Sequence, residues 1–267
     1  MTQSPVEPEE ANESSGTQGI NDSLSDEVFA TLWGNDRNAL PTAVDYAYEQ
    51  IWKQLVFVYE QKEQRLSDVV LAEKLGVSRT PIRQALERLV QDGLVRSDPR
   101  RGFWVRTFTA QDIHEIYDLR CALEVLALHL AAPHLDPADL RSQLTLLYQV
   151  RAQLDQHPIS LFLQCDFHLH TLFIRASGNS RLIHYLSTLR SQFSMFQVKD
   201  TRNPMRMEPT LHDHEQILLA LLEQNIEKAA ELLAAHIIRS KEYVLADIFE
   251  GKETEHYSIQ TGDQKLT

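Results

Sequence analysis

The chain has 267 residues, 43% of them hydrophobic, which is enough for two packed domains and too much for a disordered chain or a lone mini-domain. No apolar run approaches the roughly 20 residues of a membrane helix, and Glu7, Glu9, Glu10 and Glu13 stand where a secretory signal needs a basic start, so a cytoplasmic protein is expected. A net charge of −12 would by itself argue against a nucleic-acid partner, yet residues 78–106 hold Arg79, Arg83, Arg88, Arg96, Arg100, Arg101 and Arg106 against only Glu87, Asp92 and Asp98.

Residues 1–22 are too polar to bury much surface, so 1–40 is expected to be a mostly disordered acidic arm, with a short amphipathic helix over 24–33. From Pro41, apolar residues recurring at three and four (Ala43, Tyr46, Ala47, Ile51, Leu55, Val58) predict a helix over 42–60. Ser67 is expected to cap a second helix with Val70, Leu71 and Leu75 on its apolar face, ended by Gly76 in a left-handed turn. Ser78 is expected to cap a third, with Ile82, Ala85, Leu86 and Leu89 inward and a stop at Gly93. The period then becomes that of strands. Leu94–Arg96, a turn over 98–102 and Phe103–Arg106 predict a hairpin wing. After Thr109 only helical periodicity remains, with helices expected at 110–131, 137–155, 159–176, 180–199, 209–223 and 226–248 as an antiparallel bundle. Residues 251–267 read as a tail. The fold class is therefore mainly α: a winged helix-turn-helix over 41–108 followed by a helical bundle of about six helices over 109–250.

A recognition helix turns its first exposed residues toward base edges and phosphates while its other face packs inward. Arg79, Thr80, Arg83 and Gln84 hold that outward position, and the four-residue spacing of the arginines puts both on one face, each able to fork onto guanine or phosphate. Arg100 and Arg101 at the wing tip would reach backbone or groove, with Gly102 allowing close approach. The run from Leu71 to Leu86 (LAEKLGVSRTPIRQAL), then Leu89, Gly93-Leu94-Val95 and Arg101-Gly102, resembles the winged helix of GntR-family bacterial transcription regulators. The Gly-x-Leu-x-Pro-Gly-like turn that this family carries ahead of it is replaced here by Phe57-Val58-Tyr59-Glu60-Gln61-Lys62-Glu63.

In the bundle, Asp166 and His170 lie four apart and face one point, with His168 on the opposite side. His214 shares its period with Ile217, Leu218 and Leu221, and His236 with Leu232, Leu233 and Ile237, so both are expected inward. Together they offer a divalent cation three imidazoles and one carboxylate, although a buried histidine taken singly more often bonds only its neighbours. The runs Asp166-Phe167-His168-Leu169-His170, Arg175-Ala176-Ser177-Gly178-Asn179, His214-Glu215-Gln216-Ile217-Leu218 and Ala234-Ala235-His236-Ile237 are similar to the FCD ligand-binding domain of FadR-type GntR regulators, as is Ile116-Tyr117-Asp118-Leu119-Arg120 with Glu124. Leu169 replaces the usual phenylalanine, and Asn225 stands where aspartate is frequent. The resemblance implies that Asp166, His170, His214 and His236 bind a metal, and imidazole-rich ligation favours Zn or Ni.

Arg120, on an inward stretch, either pairs with an effector carboxylate or bridges Glu124. Asn179 is a weaker effector candidate or a helix cap, and His212 a surface residue. The expected function is a metabolite-responsive transcription regulator, binding a palindromic operator as a homodimer and switched, as the resemblance implies, by a small organic acid. Two rivals stay open. His212-Asp213 suggests an HD-type metal-dependent hydrolase, and a constitutive DNA-binding dimer would need the metal only as a staple. No catalytic residue is assigned.

Overall fold

The computed structural model describes residues 42–58, 63–156, 158–200 and 203–250. The acidic arm, its helix over 24–33, Pro41, most of the turn after Val58 and the tail lie outside the described residues.

The first half is built on an interior that is apolar but for Lys53 among its buried residues. Helix α1 (Ala43–Val58) starts at Thr42, whose hydroxyl accepts the Asp45 N–H while the Asp45 carboxylate accepts the Thr42 N–H. It buries Ala47, Tyr48, Ile51, Trp52 and Leu55. Strand β1 (Arg65–Leu66) leads into α2 (Asp68–Leu75), where the Ser67 hydroxyl caps Val70 N–H and Gly76 ends the helix at φ 67°. The inward face of α2 is Leu71 and Ala72 rather than Val70, which is 60% exposed. Consecutive helical residues point about 100° apart, and a helix of this length packs only one side on its neighbour.

Helix α3 (Arg79–Gln91) keeps the expected inward residues Ile82, Ala85, Leu86 and Leu89, each wholly buried. Ser78 holds its N-cap position in extended backbone, but its side chain makes no capping bond. Strands β2 (Val95–Asp98) and β3 (Gly102–Val105) form the wing, and β1 adds a third strand, so the order is β1-β3-β2, all antiparallel. The expected hairpin is thus a three-stranded sheet. A two-residue strand carries no periodicity to read, and only its register, Leu66 opposite Phe103, defines it.

Thr109 opens α4 (Ala110–Ala131) with a reciprocal capping pair to Asp112. Then follow α5 (Pro137–Arg151), α6 (Ile159–Ala176), α7 (Ser180–Asp200), α8 (Met207–Leu222) and α9 (Ile226–Leu245). The six expected helices are all present, α4 and α6 with the expected ends and the other four with shifted ones. Helix α5 stops at Arg151 before a short 3-10 turn, Leu154–Gln156, and α8 begins two residues ahead of Pro209. Proline fits anywhere in a first turn, because those N–H groups have no helical partner. Of the two cysteines, both free, Cys165 is buried and Cys121 half-buried.

Helix α4 packs against α6, α7 and α9, and α8 closes the bundle against α5 and α9. Helix α7 also packs on α1, so it touches both halves of the molecule. Phe196 of α7 meets Phe108 edge to face at 4.9 Å, and Gly93, at φ 75°, lies so close to α7 that an added Cβ would stand 2.6 Å from Gln192 Nε2.

Candidate metal centre and nucleic-acid interface

Arg79, Thr80, Arg83 and Gln84 all lie on the exposed side of α3, opposite its apolar face. The Arg79 and Arg83 side chains are 59% and 58% exposed. Asp68, at the start of α2, accepts a bond from Arg79 at 2.9 Å and lies 3.8 Å from Arg83. The Arg79 bond holds the Asp68 carboxyl below the usual carboxylate range. At the wing tip, Asp98 Oδ1 accepts the N–H groups of Arg100 and Arg101 at 2.8 and 2.9 Å, which fixes the turn while both side chains stay exposed. Gly102 has φ 83°, a backbone region in which other residues are strained.

The helical half gathers its polar groups inside. Asp166 and His170 of α6, His214 of α8 and His236 of α9 are all buried, and one ligand atom from each lies within 4.8 Å of the others. His214 Nε2 stands 3.3 Å from His236 Nε2 and 3.5 Å from Asp166 Oδ1, and His170 Nε2 is 3.8 Å from that same oxygen. With ligand bonds of about 2.1 Å, neighbouring ligands of a tetrahedral ion stand roughly 3.4 Å apart, so these separations suit a shared cation.

Two further carboxylates orient the rings. His170 Nδ1 donates to Glu124 Oε2 at 2.5 Å, and His236 Nδ1 to Asp213 Oδ2 at 3.4 Å. Each bond spends the proton on Nδ1 and leaves the Nε2 lone pair facing inward, the arrangement of carboxylate–histidine–metal triads. Burial lowers the His236 imidazole, and burial together with His236 and His170 pushes His214 well below its usual value. Both rings therefore offer lone pairs at neutral pH. His214 Nδ1 is buried with no hydrogen-bond partner. With Nε2 turned to the cluster, that atom has no carboxylate to hold it, unlike the Nδ1 atoms of His170 and His236.

Of its two expected readings, Arg120 takes up the bridge to Glu124. Its Nε donates to Glu124 at 2.8 Å, Nη2 approaches His170 Nε2 at 3.3 Å, and Nη1 is buried without a partner. Burial would raise the Glu124 carboxyl, but His170 and Arg120 together hold it well below the usual range. Asn179 is exposed, and its side-chain oxygen accepts the Leu182 N–H at 3.1 Å, so the structure gives it the capping role and not a place at the cluster. His212 is exposed, as expected. Sequence reasoning offers Asp213 only as part of the His212-Asp213 pair of the hydrolase alternative, not as a partner of His236. Asp213 lies between His212 and His214, and only the partner that its side chain finds on α9 marks it out.

Comparison with known proteins agrees with this architecture. The family described as bacterial regulatory proteins, gntR family, matches residues 48–105, and the FCD domain matches residues 115–239. The chain is 31% identical to the HTH-type transcriptional regulator McbR of Escherichia coli over 70% of its own length and 80% of that protein. It is 29% identical to YdhC of Bacillus subtilis, an uncharacterized HTH-type transcriptional regulator, over 77% of this chain and 92% of the other. Its fold matches the solved E. coli McbR/YncC structure with a TM-score of 0.66 at 23% identity, covering 78% of this chain and 99% of that one. These relatives are regulators and not enzymes, so the hydrolase alternative falls. With a DNA-binding helix-turn-helix ahead of an FCD domain, the chain belongs to the GntR family of bacterial transcription regulators, in its FadR-type branch.

Proposed function

We propose that the protein is a cytoplasmic, metal-loaded regulator whose operator affinity is set by a small organic acid bound in the helical half. In this reading 41–108 forms the DNA-binding domain and 109–250 the effector domain. The convergence of Asp166, His170, His214 and His236 on one buried point carries the reading. Those four residues would hold a divalent ion, Zn or Ni by their donor set, and the ion would supply a Lewis-acidic anchor for a carboxylate. Arg120 adds a guanidinium whose Nη1 is free to bond that carboxylate. Glu124 and Asp213 hold two of the rings in place.

On the DNA side, Arg79, Thr80, Arg83 and Gln84 read base edges in the major groove, while Arg100, Arg101 and Gly102 grip the backbone beside it. A palindromic operator calls for a homodimer. Support for one lies along α4, where Leu119, Leu126 and Leu130 are exposed, with half-buried Leu123 completing a heptad-like stripe. Such a stripe laid antiparallel on its own copy is self-complementary, as two-fold symmetry requires.

The test is elemental analysis of protein purified with added Zn or Ni, paired with melting curves before and after chelation. About one ion per chain and a melting temperature that falls on chelation are expected. Protein that holds no ion and melts unchanged with added metal would overturn the reading.

A further inference from the structure

Arg190 of α7 is partly buried over the side of α6 next to the face that carries the cluster. Its guanidinium carbon stands 3.8 Å from the centre of the Phe167 ring, and Nη1 donates to Thr171 Oγ1 at 3.0 Å. Phe167 and Thr171 each directly follow a cluster residue, Asp166 and His170, so Arg190 lies along the same two turns of helix. It feels the charges of Glu124, Asp166 and Arg120, and burial pulls it down to about 10, which leaves it fully charged at neutral pH. Among the described residues no carboxylate stands within ion-pair distance of it, and even a partly buried charge is costly without a counter-ion.

The local charges make the deficit specific. Asp166 and Glu124 balance Arg120 and Arg190, and Asp213 balances Arg239, so the charge of a divalent cation bound at the cluster would be left over whole. A monocarboxylate would offset half of it, and a dianion all of it.

We propose that Arg190 is a second anion-binding group, and that the effector is a small dianion with a charge at each end, in its simplest form a short dicarboxylate. One carboxylate sits at the cluster with Arg120, and the other takes the unused donors of Arg190. This rests on the acid-effector reading above and deepens it by fixing the charge of the ligand and the residue that senses it. Phe167 backs the guanidinium by cation–π contact, and Thr171 sets its orientation.

Calorimetry on the Zn-loaded protein tests this with malonate, succinate and glutarate beside the monocarboxylates propionate, butyrate and valerate. In the wild type, at least one dicarboxylate should bind about 10-fold or more tighter than its matched monocarboxylate. Arg190→Gln should weaken that dicarboxylate by roughly 10- to 100-fold, the range of a charge-assisted hydrogen bond, and leave the monocarboxylate within about 2-fold. Arg190→Lys, which keeps the charge, should retain part of the preference, and it serves where the glutamine variant does not fold. Equal binding of both acid classes by the wild type overturns the Arg190 assignment alone. Dicarboxylate affinity unchanged in Arg190→Gln, or both classes weakened equally, does the same. If neither class binds the wild type, the acid-effector reading falls with it.

Discussion

The two halves of this regulator put their charges in opposite places. Around α3 and the wing, the arginines stand on the surface over an apolar interior, and Lys53 is the sole buried charged group among the described residues of that half. In the bundle, Arg120, Glu124, Asp166, His170, His214 and His236 are all buried. Surface charges are hydrated and screened, so they act in number, each contributes a little, and salt weakens them together. Buried charges tolerate no missing partner, so the inner set is expected to stand or fall as a unit.

That contrast can be broken most sharply at Glu124. Its carboxylate bonds both Arg120 and His170, so Glu124→Ala leaves a buried guanidinium without its partner. A destabilisation of about 3–5 kcal/mol in urea unfolding is expected. A loss below about 1 kcal/mol would mean that water enters the bundle and the charges are not enclosed. Next comes the ion itself. Zn at 100 to 1,000 times its dissociation constant should stabilise the wild type by about 3–4 kcal/mol, and His236→Ala should lose most of that gain in thermal melts.

On the outer surface the effects should be smaller and separable. Arg83→Ala should cost about 1–3 kcal/mol on the preferred operator and relax sequence preference, whereas Arg101→Ala should weaken all sequences alike and reduce the salt slope by about one. Competitive binding to specific and random duplexes at several salt concentrations distinguishes the two. Smallest of all, Asp68→Asn removes the carboxylate that pairs with Arg79 and approaches Arg83, and should tighten DNA binding by only about 2- to 5-fold, the scale of an exposed ion pair. A large gain there would make Asp68 a built-in brake on the reading helix.

Legibility in the sequence followed the same division. Helices α3, α4 and α6 were readable because their apolar residues recur at helical spacing and their ends carry Ser78, Thr109 or Gly178. Asp166, His170, His214 and His236 were readable because each shares the period of buried neighbours. Strand β1 was not, since two residues have no period, and its partner lies nearly forty positions on. Val70 was misjudged because apolar residues crowd both sides of a two-turn helix. The role of Asp213 beside His236, and Arg190 altogether, were illegible for another reason. A charged residue on a helix reads as solvated until the facing helix shows its partner, or the lack of one.

The central claim is that the buried cluster of one half sets the DNA affinity of the other, through α7 and the short Arg106–Thr109 connection. Its most direct test is a fluorescence-anisotropy titration of an operator selected from random sequence, with Zn-loaded wild type and His214→Ala, each with and without the acids above. A 5- to 150-fold change in operator affinity, the usual range of allosteric coupling, is predicted for the wild type with its preferred acid, and none for His214→Ala. An affinity indifferent to every acid, or a His214→Ala variant that responds as the wild type does, would contradict it.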